Sequence, residues 1–380
     1  LAGCAAVPAF SYLSLNTAFA DTPPSMFVMA MQLDNITSLD PHESFEATGG
    51  QICGNMYQRL VTPDPQKADK VIGQLAKSWD VSSDNSTYTF HLDPAAKFAD
   101  GTPLTAEDVA YSIERIVKLD KSPAFIINQF GFTKDNVTQL VTAKDAHTVE
   151  MKLGAPAAET FLLYCLSATV GSIVSKKACE ANQQNNDFGN AWLKQHSAGS
   201  GAFTLRTWKA SETVILELSP LYADKSKIKR VILKHITDPA AQALMVKKGD
   251  VDAAYDLTTE QLLQVKNDSN VSLVNQSLSA IMLMSCNTNN EYLKKPQVWQ
   301  ALKWALDYDS IQKNILSMSF ITHQSFLPSG FPAALDDTPF HKDVAKAKSL
   351  LAEAGYPDGF EITLDHYSMQ PYPDIAQAIQ

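Results

Sequence analysis

The sequence predicts an α/β protein of at least two domains. Strand and helix signals alternate through the second half of the chain, and a strand-turn-helix passage near residue 100 is locally self-consistent. A length of 380 residues exceeds what one ordinary core organises. The composition, 45% hydrophobic and 19% charged, is that of a globular chain.

Met26 to Leu33 is a short apolar run followed by turn residues, which predicts a buried strand. Ser38-Leu39-Asp40-Pro41-His42-Glu43-Ser44 follows, then a helix carrying Met56, Tyr57 and Leu60. Tyr88, Phe90 and Leu92 alternate with Thr89 and His91, as in a half-buried strand, and Asp100-Gly101 makes a turn. Thr105 with Asp108 three residues on is a capping-box variant, and Val109, Ile113 and Ile116 continue at helical spacing. Trp79, Tyr88 and Phe90 are assigned to the core by their strand spacing, and Tyr111 is an outlying candidate for a cleft-facing side chain.

Phe203, Leu205 and Thr207 alternate on one side of the polar stretch Lys209 to Glu212, and Val214, Leu216 and Leu218 on the other, which predicts an antiparallel hairpin. Asp238-Pro239 opens a helix as N-cap and first residue, and Gly249 ends it. A further strand is expected at Ser279 to Met284 and a helix from Pro296 with Val298, Leu302, Ala305 and Leu306 on one face. Asp343 caps a helix through Leu351, stopped by Gly355 and Pro357, and Phe360, Ile362 and Leu364 alternate as a last strand. Asn182 to Asp187 is a polar loop.

Residues 1–20 contain no Asp, Glu, Lys or Arg, and Ala18-Phe19-Ala20 has the small-x-small form of a secretory cleavage site. This predicts a signal peptide at 1–20. Leu1-Ala2-Gly3-Cys4 is a rival match, to a lipoprotein box acylated at Cys4, but the residues after Cys4 are apolar where a polar tether is usual. No later run reaches the roughly 18 to 20 apolar residues of a membrane span. Cys53, Cys165, Cys179 and Cys286 remain beyond the cleavage site, either as disulfides, with Cys165 and Cys179 nearest in sequence, or as small buried apolar residues.

A net charge of −10 disfavours nucleic acid and anionic lipid as partners. The chain holds no G-x-S-x-G elbow, no H-E-x-x-H helix and no Cys with a recognisable His and Asn signature, so a secreted hydrolase is the weaker reading and no catalytic residue, metal ligand or cofactor is assigned.

Leu75-Ala76-Lys77-Ser78-Trp79 through Leu92, followed by Lys97-Phe98-Ala99-Asp100-Gly101-Thr102-Pro103-Leu104-Thr105-Ala106-Glu107-Asp108-Val109, resembles the signature of extracellular solute-binding protein family 5, the peptide-, oligopeptide- and nickel-binding proteins of ABC importers. Gly199-Ser200-Gly201-Ala202-Phe203, Tyr222, Gly249-Asp250-Val251-Asp252 and Ala354-Gly355-Tyr356-Pro357-Asp358-Gly359-Phe360 match further family segments in order. The resemblance implies a two-lobed periplasmic binding protein, type II-like, with an extra inserted subdomain. Residues 21–58 and 197–278 would form the sheet domain of lobe I, 59–196 the insertion, and 279–380 a second lobe that is incomplete by comparison with the family.

It implies further a monomer in the periplasm that delivers short peptides to membrane permease subunits and their ATPase subunits. Oligosaccharide, haem or nickel are alternative cargoes, and a nonfunctional remnant is another reading. Ser44, Phe45 and Glu46 stand where family members offer backbone to ligand, and Tyr372 matches a ligand-facing tyrosine. Gln370 occupies the position of an arginine that holds a ligand carboxylate in dipeptide-binding relatives, which puts strict dipeptide specificity in doubt.

Overall fold

A computed structural model describes residues 22–275, 280–329, 331 and 333–380. The expected signal peptide at 1–20 and Cys4 lie outside the described residues. In chain order the elements begin with β1 (Met26–Met31), α1 (Ala47–Met56), β2 (Val61–Asp64), β3 (Lys67–Gly73), β4 (Ala76–Val81) and β5 (Thr87–Leu92). Next come α2 (Ala106–Leu119), α3 (Phe125–Asn128), α4 (Val137–Leu140), β6 (Val141–Ala143), β7 (Thr148–Lys152), α5 (Glu159–Ser167), α6 (Lys176–Asn182) and α7 (Asn190–Leu193). The chain continues through β8 (Phe203–Lys209), β9 (Thr213–Leu218), β10 (Arg230–His235), α8 (Pro239–Lys248), β11 (Ala253–Ala254) and α9 (Thr259–Val265). It ends with α10 (Pro296–Ala305), α11 (Tyr308–Asn314), α12 (Val344–Glu353) and α13 (Tyr372–Ile379).

One five-stranded sheet has the order β11-β1-β10-β9-β8. β1 lies parallel to both β10 and β11, whereas β10, β9 and β8 run antiparallel in turn. The predicted hairpin is the β8–β9 pair, with Phe203 opposite Leu218 and Leu205 opposite Leu216. A second sheet, β4-β5-β7-β6, is wholly antiparallel and comes from residues between β1 and β8.

Tyr88, Phe90 and Leu92 point into the larger core, with Val109, Ile113, Ile116, Val149 and Met151. α2 forms because Asp108 reaches back to the Thr105 backbone N–H (3.0 Å) and hydroxyl (2.9 Å), and its far end stops at Asp120 in the left-handed region. One face of α2 enters that core. Tyr111, on another face, is buried in a second core with Met31, Leu33, Leu39, Tyr57, Val214 and Leu216 beneath the five-stranded sheet. Its burial overturns the expectation that Tyr111 reaches a cleft.

Three of the segments carrying the family resemblance join elements of the fold. The Gly199–Gly201 turn lies against the end of α1, so a Cβ on Gly201 would stand 2.4 Å from the Met56 carbonyl carbon. Tyr222 Oη donates to Ser200 O at 3.4 Å. Asp252 Oδ2 accepts from Val28 N at 2.7 Å, tying β11 to β1. α8 is capped by Asp238 and closed by Gly249 at φ 77°, and α12 by Asp343.

Several expectations need correction. The first helix ends at Met56, with Tyr57 already extended as its C-cap, so Leu60 lies outside it. Residues 280–287 and 359–367 contain no strand. Alternation alone does not make a strand, and neither segment has a ladder partner among the described residues. All four cysteines past residue 21 are unbridged: Cys53 and Cys179 are buried, while Cys165 and Cys286 are partly exposed. No helix among the described residues is long and apolar enough to cross a membrane.

Candidate ligand-binding site

In an open sheet, ligands gather outside the carboxyl ends of parallel strands, where the connections diverge. Here those ends belong to β1, β10 and β11. Leu33 N donates to His235 Nδ1 (2.9 Å), Gln32 N to Asp256 Oδ2 (2.5 Å), and Asp256 N to Gln242 Oε1 (3.1 Å). Burial raises the Asp256 carboxyl above its ordinary value, opposed by its bonds from Gln32 and Gln242. Tyr255, at the same edge, is exposed, and its hydroxyl accepts from Gln51 Nε2 on α1 at 3.0 Å. The strand ends and α1 therefore share one rim.

The loop between β1 and α1 completes this rim and is anchored by a buried ion pair. Asp40 and Arg115 are both 0% exposed; Arg115 Nη2 donates to Asp40 Oδ2 at 2.6 Å and Nη1 to Oδ1 at 2.9 Å. Asn190 Nδ2 (2.8 Å) and the His42 backbone N–H (3.0 Å) also donate to Asp40. Burial would raise the Asp40 carboxyl, but the Arg115 guanidinium and the other donors hold it below the ordinary carboxylate value. His42 Nε2 lies 2.8 Å from Ser172 O and Nδ1 2.8 Å from Arg115 Nη1. The proton therefore belongs on Nε2, and burial together with the Arg115 charge depresses this imidazole to about 4. Glu43 extends the network to Ser38, Asn190 and Lys194, with Lys121 3.6 Å away.

The residues singled out from the sequence fall into two places. Ser44 is buried, with its backbone N–H on Asp40 O (2.8 Å) and its hydroxyl 3.4 Å from Glu46 Oε2. The Glu46 carboxylate is engaged inside the loop, accepting from Thr37 N (3.1 Å), the Thr37 hydroxyl and Phe45 N (3.2 Å). Phe45 is the outward member, 58% exposed, and its carbonyl accepts no hydrogen bond among the described residues. Gln370 and Tyr372 open α13, where Gln370 Nε2 donates to Asp374 Oδ1 (3.3 Å) and Tyr372 packs edge-on to Tyr367, centroids 5.1 Å apart. The Gln370 Oε1 atom is buried without a partner among the described residues. No hydrogen bond or ring contact joins Gln370 or Tyr372 to Ser44, Phe45 or Glu46 among those residues.

Asp40, Arg115, Asn190, Gln51, Tyr255 and Phe125 belong to this rim or its support but were not singled out in the sequence. Asp40 lies in the Ser38–Ser44 segment, where Leu39-Asp40-Pro41 is the one local signal. Arg115 and Asn190 lie 75 and 150 residues from it and carry no local mark.

Residues 70–380 match the family described as bacterial extracellular solute-binding proteins, family 5 Middle. A probable D,D-dipeptide-binding periplasmic protein, DdpA of Escherichia coli K12, is 32% identical over 338 residues, covering 87% of this chain and 63% of that protein. The chain thus spans a little under two thirds of the length of that relative, and 61% of the glutathione-binding protein GsiB of Pectobacterium atrosepticum. Among solved structures, the periplasmic binding protein DppA of Helicobacter pylori in complex with peptide STSA superposes with a TM-score of 0.76 at 26% identity, covering 93% of this chain and 70% of that one. NikZ of Campylobacter jejuni in complex with Ni(L-His) gives 0.72 at 27% identity, with 88% and 64% covered. The fold is that of the two-lobed periplasmic binding proteins, and the chain belongs to the family 5 bacterial extracellular solute-binding proteins.

Proposed function

We propose that this chain binds short peptides in the periplasm and delivers them, as a monomer, to the permease and ATPase subunits of an ABC importer. The observation that carries this is Phe45: its side chain is exposed and its carbonyl accepts no hydrogen bond among the described residues, on a loop that follows β1 and is held by a fully buried ion pair. A fixed backbone acceptor can pair with a peptide's main chain whatever its side chains, which gives affinity with broad selectivity. The dipeptide relative and the peptide-bound neighbour support the same cargo.

In this reading residues 21–58 and 197–278 belong to the sheet domain of lobe I, 59–196 to its inserted subdomain, and 279–380 to lobe II. Phe45 contributes from one side and Gln370 and Tyr372 from the other. Gln370 is neutral, so a ligand carboxylate held there would lack a bidentate cation, and the cargo is not restricted to dipeptides.

Thermal melts with pools of two- to five-residue peptides test this directly. Ligand at about a hundred times its dissociation constant adds roughly 2.7 kcal/mol to stability. A rise in melting temperature with at least one pool is expected. A melt indifferent to every pool refutes the peptide reading.

A further inference from the structure

Phe45 and Phe125 are each 58% exposed, yet they pack against one another, with centroids 5.9 Å apart and planes at 88°. They come from segments 80 residues apart in sequence: Phe45 precedes α1, and Phe125 begins α3. The meeting is fixed from beneath. Lys121, four residues before Phe125, lies 3.6 Å from Glu43, two residues before Phe45, and Glu43 is itself held by Asn190 and Lys194. Two large apolar rings are thereby stapled together at the surface.

Beside Phe125 lies a shallow, open surface depression, lined otherwise by the polar side chains of Asp120, Lys121, Ser122, Asn128 and Gln129. Phe125 is the one apolar side chain in that lining, so an aromatic group of a ligand would rest on the exposed Phe45–Phe125 pair rather than in an enclosed cavity. Phe45 presents an exposed ring and, from the same residue, a carbonyl that accepts no hydrogen bond among the described residues. An extended peptide pairing with that carbonyl would place a neighbouring side chain within reach of the ring. Edge-to-face rings tolerate a third ring at the same spacing, which extends the cluster and removes apolar surface from water.

We infer that Phe45 and Phe125 form an aromatic subsite that takes an aromatic side chain of the bound peptide. The inference rests on the peptide reading above and adds a selectivity to it. Phe45 belongs to the region read as the sheet domain and Phe125 to the region read as its insertion, so this selectivity would be set jointly by the two.

Calorimetric titration of the chain with trialanine and with tripeptides bearing one phenylalanine at each position tests it. At least one phenylalanine peptide should bind about tenfold tighter than trialanine, the scale of one well-placed ring. In Phe125→Ala that ratio should fall towards one, with Phe125→Leu intermediate. Equal binding of all four peptides by the unmodified chain overturns the subsite while leaving the peptide reading intact. Absence of binding to every peptide overturns both. A ratio that survives Phe125→Ala overturns the assignment to this pair. The peptide series needs no variant, so the inference stays testable should a substitution impair folding.

Discussion

Replacing Arg115 with methionine would strand the Asp40 carboxylate in a site that no solvent reaches. The Asp40 carboxylate accepts four hydrogen bonds among the described residues, two of them from the guanidinium at 2.6 and 2.9 Å and two from neutral donors. Arg115 also donates from Nε to Phe188 O at 2.8 Å, so the substitution leaves that carbonyl short of a donor as well. Breaking a buried pair by removing one partner costs roughly 3–5 kcal/mol, because the remaining charge keeps its desolvation cost. At roughly 1.3 °C per kcal/mol for a chain of this length, the melting temperature should fall by about 4–6 °C. The double variant Arg115→Met with Asp40→Leu removes both charges. It should cost less than the sum of the single changes, with a coupling of roughly 2–3 kcal/mol in a double-mutant cycle read by urea unfolding. A loss under about 1 kcal/mol for Arg115→Met, or strict additivity in the cycle, would refute the reasoning.

The same network predicts acid sensitivity. His42 stays neutral in the fold down to about 4, whereas in the unfolded chain it protonates near 6.5, so the unfolded state takes up the proton first as pH falls. Stability should drop by about 3 kcal/mol between pH 6.5 and 4, at 1.36 kcal/mol per pH unit. Asp40, whose folded value is depressed, adds a further loss below its ordinary value of 3.8. His42→Gln supplies a donor for Ser172 without titrating and should flatten the upper window; an unchanged slope in that variant would locate the sensitivity elsewhere. Gly201→Ala brings a Cβ to 2.4–2.7 Å of the Asn55 and Met56 backbone and should cost about 1–3 kcal/mol in chemical denaturation. Gly54→Ala in α1 meets nothing within 4 Å and should stabilise by about 0.5–1 kcal/mol, and the opposite ranking of the two would contradict the packing described.

Local chemistry was legible wherever it closed on itself. The Thr105–Asp108 box, the Asp238-Pro239 start and Gly249 stop of α8, the Asp343 cap of α12 and the β8–β9 hairpin each depend on residues a few positions apart. Alternation misled at 280–284 and 360–364, because a strand exists only through hydrogen bonds to a neighbour that the segment's own residues do not name. Tyr111 misled differently: helical spacing shows that a residue leaves the main apolar face but not that a second core waits there.

The sequence by itself determined the family, the α/β class and the position of the loop bearing Phe45, since turns, caps and close glycine contacts leave short, ordered signatures. Only the tertiary structure decided that Asp40 meets Arg115 and Asn190, that the Glu46 carboxylate is engaged within its own loop, and that Phe45 meets Phe125. Apart from the Glu46 contacts, those encounters join residues from about 75 to 150 positions apart. Their strength comes from burial and exact approach, quantities that exist only once the chain has closed on itself.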